Sequence, residues 1–313
     1  MTEIVHLEAA DLEAMARVRD WVRLSCSLFR QHDVHFGHGT DNVWDEAIRL
    51  VFGALHLPAE GDDRLLDATL LFSERLHLLD LLRRRVEARE PVPYLLGEGW
   101  FMGLPFHIDS NVLIPRSHLG ELLANELEPW VGGQVPGHIL DLCCGSGCIG
   151  VAAAMTFPDA VVVLSDISQP ALALAKRNVE RYSLTDAHVI HSDLFENLGD
   201  YRGQFDVILC NPPYVDAEDM ADLPPEYAHE PELALASGED GLDFTRRLLR
   251  EAPEYLSADG ILVCEIGNSL PRLLEAFPKL SLVIPELEAS PEDERGTEGV
   301  FIVSREQLLN FEG

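Results

Sequence analysis

Between residues 8 and 31, Leu12, Met15, Val18, Val22, Cys26 and Phe29 recur at steps of three and four, which is one face of an amphipathic helix. A second helix takes Asp41 or Asn42 as its cap and runs through Trp44, Ile48, Val51 and Leu55. A third carries Leu76, Leu79, Leu82 and Val86 and stops before Pro91 and Pro93. The pattern predicts a small helical domain over residues 1–96. After Gly97 the texture changes to short β-type runs, Trp100-Phe101, Phe106-His107-Ile108 and Val112-Leu113-Ile114, broken by Gly103, Pro105 and Asp109-Ser110-Asn111. These predict a β-hairpin linker over 97–117.

From residue 118 to 313 the pattern alternates. A helix over 118–130 leads to strands at 138–142, 161–165, 189–191, 205–210 and 261–265. Between and after them lie helical segments at 148–157, 169–182, 243–256 and 269–277. Apolar runs alternating with helices read as a parallel sheet covered on both faces. Residues 280–285 and 299–303 complete seven strands with no helix between the last two, so the final strand should insert antiparallel. The fold class is therefore α/β, Rossmann-like, with a helical amino-terminal domain.

Composition narrows the setting. The 313 residues, 47% of them hydrophobic and with a mean hydropathy of +0.02, suffice for one large core and a smaller second one. No apolar run reaches the ~18 residues of a membrane span, and Glu8, Asp11 and Glu13 precede the first arginine, unlike a signal peptide. A cytoplasmic protein without membrane contact is expected. Its six cysteines form no Cys-x-x-Cys pair and mostly sit in apolar runs, so buried thiols are expected and a metal site is not.

A net charge of −31 disfavours sequence-specific binding to nucleic acid and suits a basic polypeptide partner. An acidic bias of the whole proteome would produce the same number, as two lysines against twenty-one arginines suggest. The carboxylates are uneven, however: residues 215–243 hold ten and no Lys or Arg. The cluster Arg83-Arg84-Arg85 with Arg89 reads as a solvated helix face.

The chemistry lies at two strand ends. Asp141-Leu142-Cys143-Cys144-Gly145-Ser146-Gly147 passes from strand through a glycine turn to a helix start, which offers free N–H groups to an anion. The loop alone does not separate a dinucleotide from S-adenosylmethionine. Asp141, four residues ahead of the first glycine, can answer a cationic amino group, and the terminal strand pair is foreign to dinucleotide folds, so S-adenosylmethionine is favoured. Asp166, ending the second strand, can accept both ribose hydroxyls. Asp193 can receive the adenine amino group while Leu194 packs on the ring. Asn211-Pro212-Pro213-Tyr214 ends the strand over 205–210, its prolines holding the Asn carboxamide and nearby carbonyls in one extended array that can grip an NH2 group.

These residues together resemble class I methyltransferases, and Asp141, Gly145-Ser146-Gly147, Asp166, Ser192-Asp193-Leu194-Phe195 and Asn211-Pro212-Pro213-Tyr214 are similar to the protein-glutamine methyltransferases. Residues 37–47, Ile114-Pro115-Arg116-Ser117 and Tyr214-Val215-Asp216-Ala217-Glu218-Asp219-Met220 resemble the branch acting on large-subunit ribosomal protein three. The resemblance implies a seven-stranded class I fold and methyl transfer from S-adenosylmethionine to a glutamine amide of a basic ribosomal protein, free or in an assembling subunit. Peptide-chain release factors and the adenine amino group are the alternative targets. Cys143 and Cys144 stand where relatives carry Gly or Thr. Catalysis is expected from the Asn211 side-chain oxygen and the Pro212 carbonyl as acceptors for the amide N–H bonds, with Pro213 beside them and Tyr214 stacked on the planar group. Neither Glu265 nor His229 is assigned as a base.

Overall fold

The computed structural model describes residues 5, 7–58, 62–287 and 299–310. It divides into two compact units: residues up to Glu98 together with Pro224–His229, and Gly99–Leu223 together with the chain from Glu230.

In the first unit, α1 (Ala9–Ala14) and α2 (Val18–Gln31) replace the single helix expected over 8–31. The backbone at Arg17 bridges Thr69, with Val18 N donating to Ala68 O and Leu70 N to Ala16 O, and this pairing pulls the chain out of helical geometry. α3 (Val43–Ala54) starts at Asn42, whose side-chain oxygen accepts from Trp44 N and Asp45 N as a cap should. α4 (Phe72–Glu87) is followed by α5 (Val92–Leu96), which the sequence reading missed: proline is tolerated in a helix's first turn, so Pro93 opens a helix there. Trp21, Phe29, Leu50, Val51, Leu78 and Leu82 are fully buried and form the core of this unit. Arg85 is buried at its heart, bonded to Glu46 at 2.9 Å and Glu226 at 3.3 Å. Arg83 donates to Val5 O, Arg84 to Glu90, and Arg89 to Asp33 O and His32 O. Arg85 is thus internal and Arg83 and Arg89 are half-buried against backbone carbonyls, which corrects the solvated-face expectation for them, whereas Arg84 is exposed and keeps it.

A hairpin of β1 (Glu98–Phe101) and β2 (Leu104–His107) opens the second unit, which takes β1 from Gly99 onward. Residues 112–114, expected as strand, have no ladder partner and run as irregular chain. α6 (Leu119–Ala124) is shorter than the 118–130 span anticipated. Then follow β3 (His138–Leu142), α7 (Cys148–Thr156), β4 (Val161–Asp166), α8 (Gln169–Arg181), β5 (Ala187–His191), β6 (Phe205–Cys210), α9 (Ala217–Asp222), α10 (Asp243–Glu251), β7 (Leu256–Glu265), α11 (Leu270–Ala276), β8 (Val300–Ser304) and α12 (Arg305–Leu309).

The sheet order is β5-β4-β3-β6-β7-β8, parallel except for antiparallel β8. Residues 280–285 do not form a full strand: Val283 alone bridges Ile302, exchanging both backbone hydrogen bonds. The sheet of the described residues thus has six strands plus this edge bridge. Chain order reverses between β3 and β6, and open α/β sheets bind ligands outside the carboxyl ends of strands at such a reversal. Leu142 pairs with both Ser165 and Cys210, so the loops leaving β3, β4 and β6 emerge side by side.

Candidate active site

At this switch point the β3–α7 loop turns through two left-handed residues, Cys143 (φ 62°) and Gly145 (φ 53°), and reaches α7 through Gly147 (φ 79°). A Cβ on Gly147 would stand 3.0 Å from Leu164 and 3.2 Å from Ala175, so the turn depends on its lacking one. Gly145 N donates to Asp166 Oδ2 at 2.9 Å and Ser168 N to Asp166 Oδ1 at 2.8 Å, which fixes the carboxylate at the end of β4. Each oxygen keeps a lone pair for an incoming hydroxyl. Burial pushes the Asp166 carboxyl above its ordinary range, against the lowering effect of these N–H groups.

A cavity of about 240 Å³ lies over these loops. Cys143, Cys144, Gly145 and Ser146 line it, as do Asp166, Asp193 and Leu194 on one side and Asn211 and Pro213 on another. Asp141, Gly147, Pro212 and Tyr214 are not among the lining residues. Asp141 is fully buried behind the loop, where its Oδ2 accepts from Gly150 N at 2.7 Å and its Oδ1 has no hydrogen-bond partner. Desolvation raises its pKa from 3.8 to about 7. Asp141 therefore lies beneath the loop, with one carboxylate oxygen free of any hydrogen bond.

Asn211 carries a buried side-chain oxygen without a hydrogen-bond partner, in a residue that lines the cavity. Leaving such an acceptor bare costs about 1–3 kcal/mol, which a bound donor would recover. Tyr214 is held from behind: its carbonyl accepts from Ser269 Oγ at 2.8 Å, and a Cβ on Gly267 would fall 2.6 Å from its ring. Beside Asn211, the end of β7 places Glu265, whose Oε2 accepts from Ser117 Oγ at 2.6 Å and His118 N at 3.0 Å. Burial pushes that carboxyl up. His229 belongs to the helical unit, with its Nε2 2.7 Å from Ala88 O.

The cysteines are packed thiols. Cys144, Cys148, Cys210 and Cys264 are buried, and burial pushes Cys148 up to about 12. Among the described residues no group of three or more His, Cys, Asp or Glu side chains could hold a metal ion, and no helix is long and apolar enough to cross a membrane.

A methyltransferase small domain family model matches residues 120–225, the span of the glycine loop, Asp166, Asp193 and Asn211. The ribosomal protein uL3 glutamine methyltransferase of Francisella tularensis subsp. tularensis is 41% identical over 296 residues, covering 94% of this chain and 92% of its own. That of Bordetella pertussis is 45% identical over 298 residues, covering 95% and 97%. The chain belongs to the ribosomal protein uL3 glutamine methyltransferases. It is an S-adenosylmethionine-dependent enzyme with a class I methyltransferase fold. Among solved structures it is similar to the hMettl16 catalytic domain, at 18% identity and a TM-score of 0.49 over 76% of this chain and 84% of that one.

Sequence reasoning missed part of the methyltransferase's cavity. Phe244 and Arg247, one helical turn apart on α10, line it, and Arg247 Nη2 lies 3.0 Å from Asp193 Oδ1. The i, i+3 spacing beside an acidic stretch was the available signal. Pro231, Leu233 and Ala234 also line it, and nothing in their pattern distinguished them from loop.

Proposed function

We propose that this enzyme methylates the side-chain amide nitrogen of a glutamine in ribosomal protein uL3, and that Asn211 is the residue that receives the amide. The observation that carries the reading is the buried, unpartnered Asn211 oxygen lining the cavity. It is an acceptor placed where a donor must arrive. S-adenosylmethionine supplies a sulfonium methyl group when bound. Asp166 is assigned to its ribose hydroxyls, the backbone of Cys143, Cys144, Gly145, Ser146 and Gly147 to its methionine portion, and Asp193 with Leu194 to its adenine. Asp141 supports the loop from beneath.

A glutamine amide nitrogen is a weak nucleophile because its lone pair is delocalised into the carbonyl. Acceptance of its two N–H bonds by the Asn211 side-chain oxygen and the Pro212 carbonyl favours positive charge on nitrogen and aims the lone pair. Tyr214 stacks on the amide plane and Pro213 closes the array. This inverts the logic of an oxyanion hole, where one group is worth ~3 kcal/mol. Two acceptors leave no need for a strong base, since the methylated amide readily gives its proton to water.

The substrate is a basic polypeptide, as free protein or in an assembling large subunit, and is met by exposed carboxylates following Tyr214. Asp216, Glu226, Glu230, Asp240 and Asp243 are engaged by Arg272, Arg85, Arg116 and Arg246. Glu218, Asp222, Glu232 and Glu239 are exposed, and among the described residues none of them has an ion-pair partner. The test is incubation of unmethylated uL3 with labelled S-adenosylmethionine, followed by mapping of the labelled residue. Wild-type enzyme should label one glutamine, and Asn211→Ala should slow transfer about 100-fold. Near-normal transfer by Asn211→Ala would remove the assignment.

A further inference from the structure

The wall of the cavity formed by residues 111–117 lies in irregular chain with no ladder to hold it. Beside the local backbone bond from Val112 N to Asp109 O, side chains hold it, Glu230 among them. This carboxylate is fully buried and grips both ends of the Arg116 guanidinium, Oε1 to Nη1 and Oε2 to Nη2, each at 2.6 Å. Oε1 also accepts from Ile114 N at 3.0 Å. The next residues in the chain, Pro231, Leu233 and Ala234, line the same cavity. One side chain therefore joins two walls, one covalently and one through three hydrogen bonds.

Both walls converge on the acceptor end. Ser117 is bonded to Glu265, which follows the Cys264 paired with Cys210, one residue before Asn211. The segment after Glu230 returns to the residue after Tyr214: Val215 N donates to Leu235 O at 2.8 Å and Ser237 N to Val215 O at 2.9 Å. A bidentate carboxylate–guanidinium pair has fixed geometry as well as strength, and a buried one is little screened by salt. Near-attack alignment is sensitive to displacements of about 1 Å, so a pin of this kind acts on turnover more than on cofactor affinity.

We infer that Glu230 is a positioning residue for methyl transfer: through Arg116 and Ile114 it pins the two walls that flank the acceptor amide at the spacing Asn211 requires. The inference rests on the acceptor role proposed for Asn211. Leu233, 60% exposed in the same segment, is then the apolar surface that the substrate chain meets at the mouth.

The experiment combines kinetics with amide exchange on the full-length enzyme. Glu230→Ala should lower kcat for uL3 by at least thirtyfold while the Kd for S-adenosylmethionine, measured by calorimetry, changes less than threefold. Glu230→Gln retains acceptors for Ile114 N and one Arg116 bond, so it should recover part of that loss. In Glu230→Ala, amide exchange should quicken in peptides covering both 111–118 and 231–236. Unchanged kcat, or a fall in kcat matched by a comparable rise in cofactor Kd in both variants, would overturn the positioning role. Exchange that quickens in only one segment, or in neither, would overturn the pin irrespective of substrate. Absence of glutamine methylation by wild-type enzyme would instead remove the function on which the kinetic arm relies.

Discussion

The carboxyl of Asp141 links the cofactor loop to stability in a way that can be measured. It is fully buried, one oxygen accepts from Gly150 N and the other has no hydrogen-bond partner. Its pKa rises from 3.8 to about 7, chiefly through desolvation, and the neighbouring Asp166 charge adds to the rise. A raised carboxyl pKa means that the native state holds the proton more tightly than the unfolded chain. This contribution to stability is complete below 3.8 and is lost as pH climbs through about 7. At ~1.36 kcal/mol per pKa unit the whole loss is about 4 kcal/mol, of which about 2 is already gone at pH 5.5. Asp141→Asn cannot titrate, and its side-chain oxygen can still accept from Gly150 N. Urea unfolding of both proteins, followed by circular dichroism from pH 5.5 to 8, cancels in the difference the titration of groups that do not interact with Asp141. Wild type should lose about 2 kcal/mol relative to the variant over that interval. A difference constant to within about 0.5 kcal/mol would refute the raised pKa and the reasoning built on it.

Other consequences are as direct. Asp166→Ala removes a fixed acceptor at the end of β4 and should raise the Kd for S-adenosylmethionine about 10- to 100-fold, while KM for uL3 stays near wild type; equal loss of both would indicate misfolding. Arg85→Ala leaves Glu46 and Glu226 buried without their shared cation and should destabilise the helical unit by about 3–5 kcal/mol, read as faster amide exchange through α3 and α4. Gly147→Ala forces a left-handed conformation on a residue crowded by Leu164 and should cost about 1–2 kcal/mol in unfolding experiments, with weakened cofactor binding. Arg247→Ala should raise the cofactor Kd several-fold in calorimetry; an unchanged value would make the Asp193 contact an ordinary exposed ion pair.

Much of this architecture was legible because buried parallel strands must be apolar. Ile139-Leu140, Val162-Val163-Leu164 and Val207-Ile208-Leu209 leave no other reading between helical segments. The glycine loop and Asn211 were legible because their backbone demands restrict residue type. Failures occurred where long-range partners decide. Arg17 leaves the helix because Ala68 and Thr69 offer its neighbourhood a ladder, a fact no local window contains. Val112-Leu113-Ile114 has strand composition, but the Glu230 carboxylate, not a neighbouring strand, takes the Ile114 N–H. Residues 280–285 keep only one bridge for the same reason: pairing depends on the partner offered, not on β propensity alone.

The acidic run after Tyr214 shows how a charge count divides once partners are known. Read as composition it is one surface for a basic protein. Asp216 instead caps α9 and pairs with Arg272, while Glu226 and Glu230 are buried against arginines in different units. Removing any of these three would alter folding or the shape of the cavity, so loss of activity in such variants says nothing about substrate charge. Only the exposed group of Glu218, Asp222, Glu232 and Glu239 can report on it. Neutralising all four as amides should raise KM for uL3 and flatten its dependence on salt, with kcat and cofactor Kd held, because exposed charges act through screened, long-range attraction. An unchanged KM at low ionic strength would assign the net charge of −31 to composition rather than to recognition.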